Sequence, residues 1–176
     1  MMNSPMRAGF AKADITPALG IQLTGYGDAF RPAEEILDPL NATVMVVEQN
    51  GVKAAIIGLD WCFICEVITD LIRDAISKAV GIEPLNIQLS CSHTHSAPHT
   101  RTRKTIGHGG NNIEEGMQYV RSVLPSIVEA VRNANDSMVE TEVGFAAVES
   151  LTGVCRRRVN KDGIVEGFSG APDLPF

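Results

Sequence analysis

The chain has 176 residues, 44% of them apolar, and a formal net charge of −6. That length and apolar share suit one ordinary domain, residues 1–176, and the acidic balance argues against general nucleic-acid binding. No apolar run is long enough for a membrane-spanning helix, and Met1-Met2-Asn3-Ser4-Pro5-Met6-Arg7 lacks the apolar core of a secretory signal; as written the chain reads as soluble and cytoplasmic.

Thr43 to Glu48 and Val52 to Leu59 are β-rich runs joined by Gln49-Asn50-Gly51. Asn and Gly both tolerate the positive φ of a primed turn, so the pair predicts a hairpin. The second run ends at Asp60. From Glu66 to Val80, apolar residues Val67, Ile68, Leu71, Ile72, Ala75, Ile76 and Ala79 fall along one helical face, and Gly81 is placed to end the helix. Leu85 to Ser92 reads as the next strand, completing a βαβ unit and favouring a sheet covered by helices. A polar stretch from His99 to Asn112 reads as a surface loop. Ile113 to Asn133 has a helical stripe interrupted by Pro125, which predicts a kink or break near Leu124. Val139 to Val148 reads as a further strand. The fold class is therefore α/β, a mixed sheet with helices packed on its faces.

Ser92-His93-Thr94-His95-Ser96-Ala97-Pro98 carries the chemistry. Strand residues two apart share a face, so His95 and His93 are in phase with Cys91, Leu89, Ile87 and Leu85, the apolar side. Two neutral imidazoles projecting together into an interior are half of a zinc site. The competing reading is a pair of core histidines that satisfy each other. Burying two imidazoles without a shared partner is costly, which favours a metal.

The four cysteines make no disulfide framework. Cys62 and Cys65 form a Cys-x-x-Cys pair beside Trp61, Phe63 and Ile64, which reads as packed thiols rather than a redox or zinc motif. Asp60 closes an apolar strand, where open α/β sheets place ligand residues; a turn or cap role fits it equally. His99 and His108 read as solvent-exposed loop histidines rather than ligands. Two basic clusters stand out, Arg101-Thr102-Arg103-Lys104 and Arg156-Arg157-Arg158. The first reads as a solvated loop; either would suit peripheral contact with an anionic lipid surface or a carboxylate product.

Taken together, Gly9-Phe10-Ala11-Lys12-Ala13-Asp14-Ile15-Thr16-Pro17, Thr24-Gly25-Tyr26-Gly27, Ile57-Gly58-Leu59-Asp60 and the His93 to Pro98 motif resemble the N-terminal part of the neutral/alkaline ceramidase family. Cys155-Arg156-Arg157-Arg158 and Gly170-Ala171-Pro172-Asp173 extend the resemblance over nearly the whole chain, with cysteine at 155 where that family usually has asparagine. The resemblance implies a zinc-dependent amidase that hydrolyses the N-acyl bond of ceramide or a similar N-acyl lipid. It implies zinc on His93, with His95 beside the metal as a further ligand or a contact to substrate and water. Asp60 and Arg156 are implied to line the same cleft.

The remaining zinc ligands of the family lie later in its chain than Phe176 corresponds to. The expectation is accordingly an N-terminal portion of a larger catalytic domain. The alternative is a non-catalytic domain that keeps the fold and binds a lipid or a partner. Oligomeric state is left open, although exposed sheet edges invite association.

Overall fold

A computed structural model describes residues 4–26, 30–102, 113–150 and 157–167. Four features singled out in the sequence therefore lie outside the described residues: Arg156, Cys155, His108 and the turn at 170–173. Backbone contacts gather into two units, 1–142 and 143–176, and each is described by itself.

In the first unit the order is β1 (Arg7–Asp14), β2 (Asn41–Gln49), β3 (Val52–Leu59), α1 (Glu66–Val80), β4 (Ile87–Cys91), α2 (Ile113–Asp136) and β5 (Val139–Glu140). The strands form one mixed sheet in the order β4-β3-β2-β1-β5. The β3–β4 pair is parallel and the other pairs are antiparallel. The β2–β3 hairpin turns on Asn50 at φ 52° and Gly51 at φ 79°, the left-handed pair that the sequence called for. Helix α1 has the expected bounds and stops at Gly81, which takes φ 70° and donates its N–H to the Ser77 carbonyl.

Register lines up the inner face in rows. Gly9, Val46, Ala55 and Ile87 form one row, and Ala11, Val44, Ile57 and Leu89 form the next. Helix α1 lays Ile68, Ile72 and Ile76 on this face, and α2 adds Val120, Val123, Ile127 and Val131. The layered α/β reading holds, but both helices share one face and touch each other. The opposite face keeps an apolar row of Phe10, Met45 and Ile56 in register, with Phe10 65% and Ile56 44% exposed.

Three expectations need correction. Helix α2 runs unbroken through Pro125. The proline is on the exposed side, so the carbonyl it leaves without a helical donor faces water. Its cost of about 3 kcal/mol is offset by the buried stripe, whose side chains contribute roughly 1.5–3 kcal/mol each. The strand expected over 139–148 shrinks to β5, because β1 offers an edge only as far as Arg7 and Ala8. Residues 141–150 take no regular structure. The strand expected from Leu85 begins at Ile87: Pro84–Asn86 form a 3-10 turn, and Leu85 is 91% exposed. The sequence reading also lacks β1, whose alternating Ala-x-Ala pattern carries little apolar bulk.

A buried hydrogen-bond chain ties three elements together below the sheet's end. Trp61 Nε1–H donates to the Tyr119 hydroxyl at 2.9 Å, and that hydroxyl donates to the Ile15 carbonyl. Burial pushes the Tyr119 phenol well above its ordinary value, so it stays a neutral donor. Asp60 sits beside this anchor.

In the second unit, β6 (Arg157–Val159) and β7 (Val165–Gly167) pair antiparallel. The Asn160 side chain closes their turn, accepting from the N–H groups of Asp162 and Ile164. Among the described residues, no helix is long and apolar enough to cross a membrane.

Candidate metal centre

The parallel pairing of β3 and β4 brings their carboxyl ends together, with Leu59 beside Cys91. The two chains then run on in contact: Ser92 N–H donates to the Leu59 carbonyl and His93 N–H to the Trp61 carbonyl, both at 3.0 Å.

His93 adopts φ 62°. A left-handed histidine costs roughly 1–2 kcal/mol, and such strain persists only where the surroundings enforce it. The turn also breaks the strand alternation. Because of it the two imidazoles do not project into the core as the phase argument expected; His93 is exposed and His95 half-buried at the sheet's end. What holds them together is local bonding rather than the cost of burial.

His93 Nδ1 lies 2.7 Å from the Cys62 carbonyl oxygen. A carbonyl only accepts, so Nδ1 carries a proton, which in a neutral ring leaves Nε2 as the nitrogen able to bind a metal. His95 Nε2 stands 3.4 Å from that atom. This is longer than the ~2.7–3.2 Å of a good N–H hydrogen bond. Two imidazole nitrogens bound tetrahedrally at about 2.0–2.1 Å from one zinc would stand about 3.3–3.4 Å apart. The spacing therefore suits a shared cation better than a shared proton.

The third donor nearby is a thiol. Cys62, His93 and His95 each offer a ligand atom, and the three atoms lie within 4.8 Å of one another. Cys62 is 3% exposed, and its Sγ is 3.6 Å from His93 Nδ1. Burial pushes the thiol upward, with Arg101 pulling the other way. The sequence reading treats Cys62 as packing only. Its position three residues past Leu59, in the turn after the strand that pairs with the histidine-bearing one, is the signal for its place in this group. Among the described residues, Cys62, His93 and His95 form a group that could hold a metal ion.

Gly25, Tyr26 and Arg31 brace His95 from outside. Tyr26 packs edge-on against the imidazole at 5.1 Å, and the Arg31 guanidinium lies 4.3 Å over the Tyr26 ring. Arg31 also donates to the His95 carbonyl at 2.8 Å. Gly25, at φ 108°, has no room for a side chain: an added Cβ would lie 2.3 Å from the His95 ring. The Thr24-Gly25-Tyr26 motif is thus the cradle of the second histidine.

Asp60 serves the turn and also reaches the cleft. Its N–H donates to the Asn41 carbonyl and its carboxylate accepts from the Asn41 N–H, both at 2.9 Å. It also lines a cavity of about 660 Å³ together with Thr16, Arg31, Leu37, Leu40, Thr94 and Ser96. Thr94 and Ser96 alternate with the histidines along the chain, so the cavity adjoins the motif although neither imidazole lines it.

Two loop expectations are corrected. His99 is buried, 2% exposed, with its ring edge-on to Phe63 at 5.5 Å; it is not part of the donor group. Arg101 stacks its guanidinium over Phe63 at 3.6 Å rather than standing free in solvent. Of the other described thiols, burial pushes Cys91 up to about 11, and Cys65 Sγ contacts the Thr102 hydroxyl at 3.7 Å.

No protein-family model matches the chain, and no curated protein does. Among solved structures it is similar to neutral ceramidase from Pseudomonas aeruginosa, with a TM-score of 0.60 and 20% identity over 76% of this chain. A ceramidase complexed with C2 matches with the same figures. The chain spans 22% of the length of each of these structures. At that identity the likeness establishes a ceramidase-like fold.

Proposed function

We propose that this chain supplies the N-terminal part of a zinc-dependent amidohydrolase, one that cleaves the N-acyl amide of ceramide or a similar N-acyl lipid. One observation carries the reading: two imidazole Nε2 atoms 3.4 Å apart, at the carboxyl end of a parallel strand pair in a ceramidase-like fold. Zinc held there would supply a Lewis acid for the amide carbonyl and a water more acidic than bulk.

The chain's own residues supply the rest. His93 is oriented by its Nδ1–H bond to the Cys62 carbonyl, which in the neutral ring selects the tautomer with Nε2 open to a metal. His95, steadied by Tyr26 and Arg31, takes the second position. The adjoining cavity pairs an apolar wall of Leu37 and Leu40, suited to an acyl chain, with the Asp60 carboxylate, suited to the amide N–H or a hydroxyl. The family resemblance implies a substrate-contacting role for Arg156, which lies outside the described residues, and peripheral membrane contact through the 156–158 cluster. The organisation of 1–176 as one part of a larger catalytic domain belongs to the same proposal.

The test is release of fatty acid from a short-chain N-acyl sphingoid base by the zinc-loaded protein, wild type against Asp60→Asn. Zinc-dependent release that falls at least about tenfold in the variant is expected, the order typical of a lost positioning contact. Release that survives removal of zinc would overturn the reading. A second reading is a lipid-binding domain without turnover, which the apolar wall of the same cavity would serve. Saturable binding of the lipid with no release, zinc bound, would select it.

A further inference from the structure

We infer that Thr100 is a positioning residue for His93: its buried hydroxyl anchors the loop whose carbonyl selects that histidine's tautomer. The inference rests on the proposed metal at His93 and reaches outward from it, to a side chain that bonds neither imidazole. The stretch between β3 and α1 takes no regular structure, yet three of its carbonyls in succession are engaged. The Trp61 carbonyl accepts the His93 N–H at 3.0 Å, the Cys62 carbonyl accepts from His93 Nδ1 at 2.7 Å, and the Phe63 carbonyl accepts from the Thr100 hydroxyl. The segment that carries the histidines thus returns at Thr100 to grip the loop that orients the first of them.

The grip closes on one residue in three ways. Besides the hydroxyl bond, the Arg101 guanidinium stacks over the Phe63 ring at 3.6 Å and the His99 ring meets it edge-on at 5.5 Å. Thr100 is 0% exposed, so water does not compete for its hydroxyl. Removing that donor leaves a partly buried carbonyl unpaired, and the loop shifts to find it a new partner. The consequence falls one residue earlier, on Cys62. Its carbonyl makes Nδ1–H the better tautomer of a neutral His93 ring and leaves Nε2 for a metal. Good N–H···O bonds span ~2.7–3.2 Å, so a loop that moves away by more than about half an ångström releases Nδ1. A released imidazole reverts toward Nε2–H, the form free histidine prefers in water. That form places a proton on the nitrogen facing His95.

The test reads the tautomer directly, by long-range proton–nitrogen correlation on the full metal-free chain with isotope-labelled histidine, at about pH 8 where ordinary imidazoles are neutral. The His93 signals are assigned by their loss in His93→Ala. Wild type should show His93 as Nδ1–H. Thr100→Val, which keeps the shape and removes the hydroxyl, should show a substantial Nε2–H share and bind zinc about tenfold more weakly, the lower end for an outer-shell partner. Thr100→Ser, which restores the hydroxyl, should recover both. If the valine variant does not fold, Phe63→Leu removes the ring contacts and should move the tautomer the same way. An unchanged Nδ1–H signal in the variant, or Nε2–H in wild type, would overturn the inference even where zinc binds. Zinc held as tightly by Thr100→Val as by wild type would overturn it as well. A tautomer that shifts as expected in a chain that binds no zinc would uphold the role of Thr100 in orienting His93 and sink the metal reading instead.

Discussion

Replacing His93 with alanine or glycine is expected to lower zinc affinity by at least about a hundredfold, a full ligand costing more than the 10–100-fold of an outer-shell partner. The two variants should part company on stability. His93 stands at φ 62°, where a side chain with Cβ is strained. Glycine carries no such strain, so His93→Gly should be about 1 kcal/mol more stable than His93→Ala, the lower end of the left-handed cost, and unfold at a higher urea midpoint. His93 is also exposed, so neither change opens a cavity. Competition with a chromophoric chelator reads the first effect and urea titration the second. A glycine variant that binds zinc as tightly as wild type would contradict the assignment of His93. Equal stability of the two variants would contradict enforced strain at this position.

Gly9→Val should cost the fold about 3 kcal/mol or more, the upper range for forcing bulk into a packed contact. The reason is a close approach between layers. A Cβ at position 9 would lie 1.9 Å from the Ala134 carbonyl oxygen and 3.1 Å from Met138 Cγ. Helix α2 cannot keep its seat on β1 with a side chain there. The two atoms struck first, the Ala134 carbonyl oxygen and carbon, are helix backbone and cannot rotate away. Urea unfolding followed by far-ultraviolet circular dichroism measures the loss. A midpoint equal to wild type would show that α2 is not seated on β1 in this way.

Much of this fold was legible because it rests on local chemistry. Asn50-Gly51 requires a primed turn, and Gly81 requires a helix stop, whatever packs around them. The stripe of Ile68, Ile72 and Ile76 follows from the helical period alone. Other elements answer to partners distant in sequence. The strand β1 is made of small residues, and its pairing with β2 rather than its composition makes it a strand. Val139 to Val148 has the alternation of a strand but only two residues find a partner. Pro125 signals a break, yet its exposed position lets the helix continue.

The site divides the same way. His-x-His at the end of an apolar strand marks the corner where chemistry collects. The inward phase extrapolated from it fails at one residue, because a single left-handed φ at His93 redirects both rings. Cys62 escapes notice because its approach to the histidines depends on β3 and β4 lying side by side and parallel. Gly25 becomes meaningful only when His95 is seen to occupy the space its side chain would need.

The central claim is that this chain holds a metal between His93 and His95, and the most direct measurement is its zinc content. Reduced protein equilibrated with zinc, passed through gel filtration and analysed by elemental emission should carry one zinc per chain, with none retained by His93→Gly. Wild-type protein that emerges without zinc, or a variant that keeps it, would contradict the account.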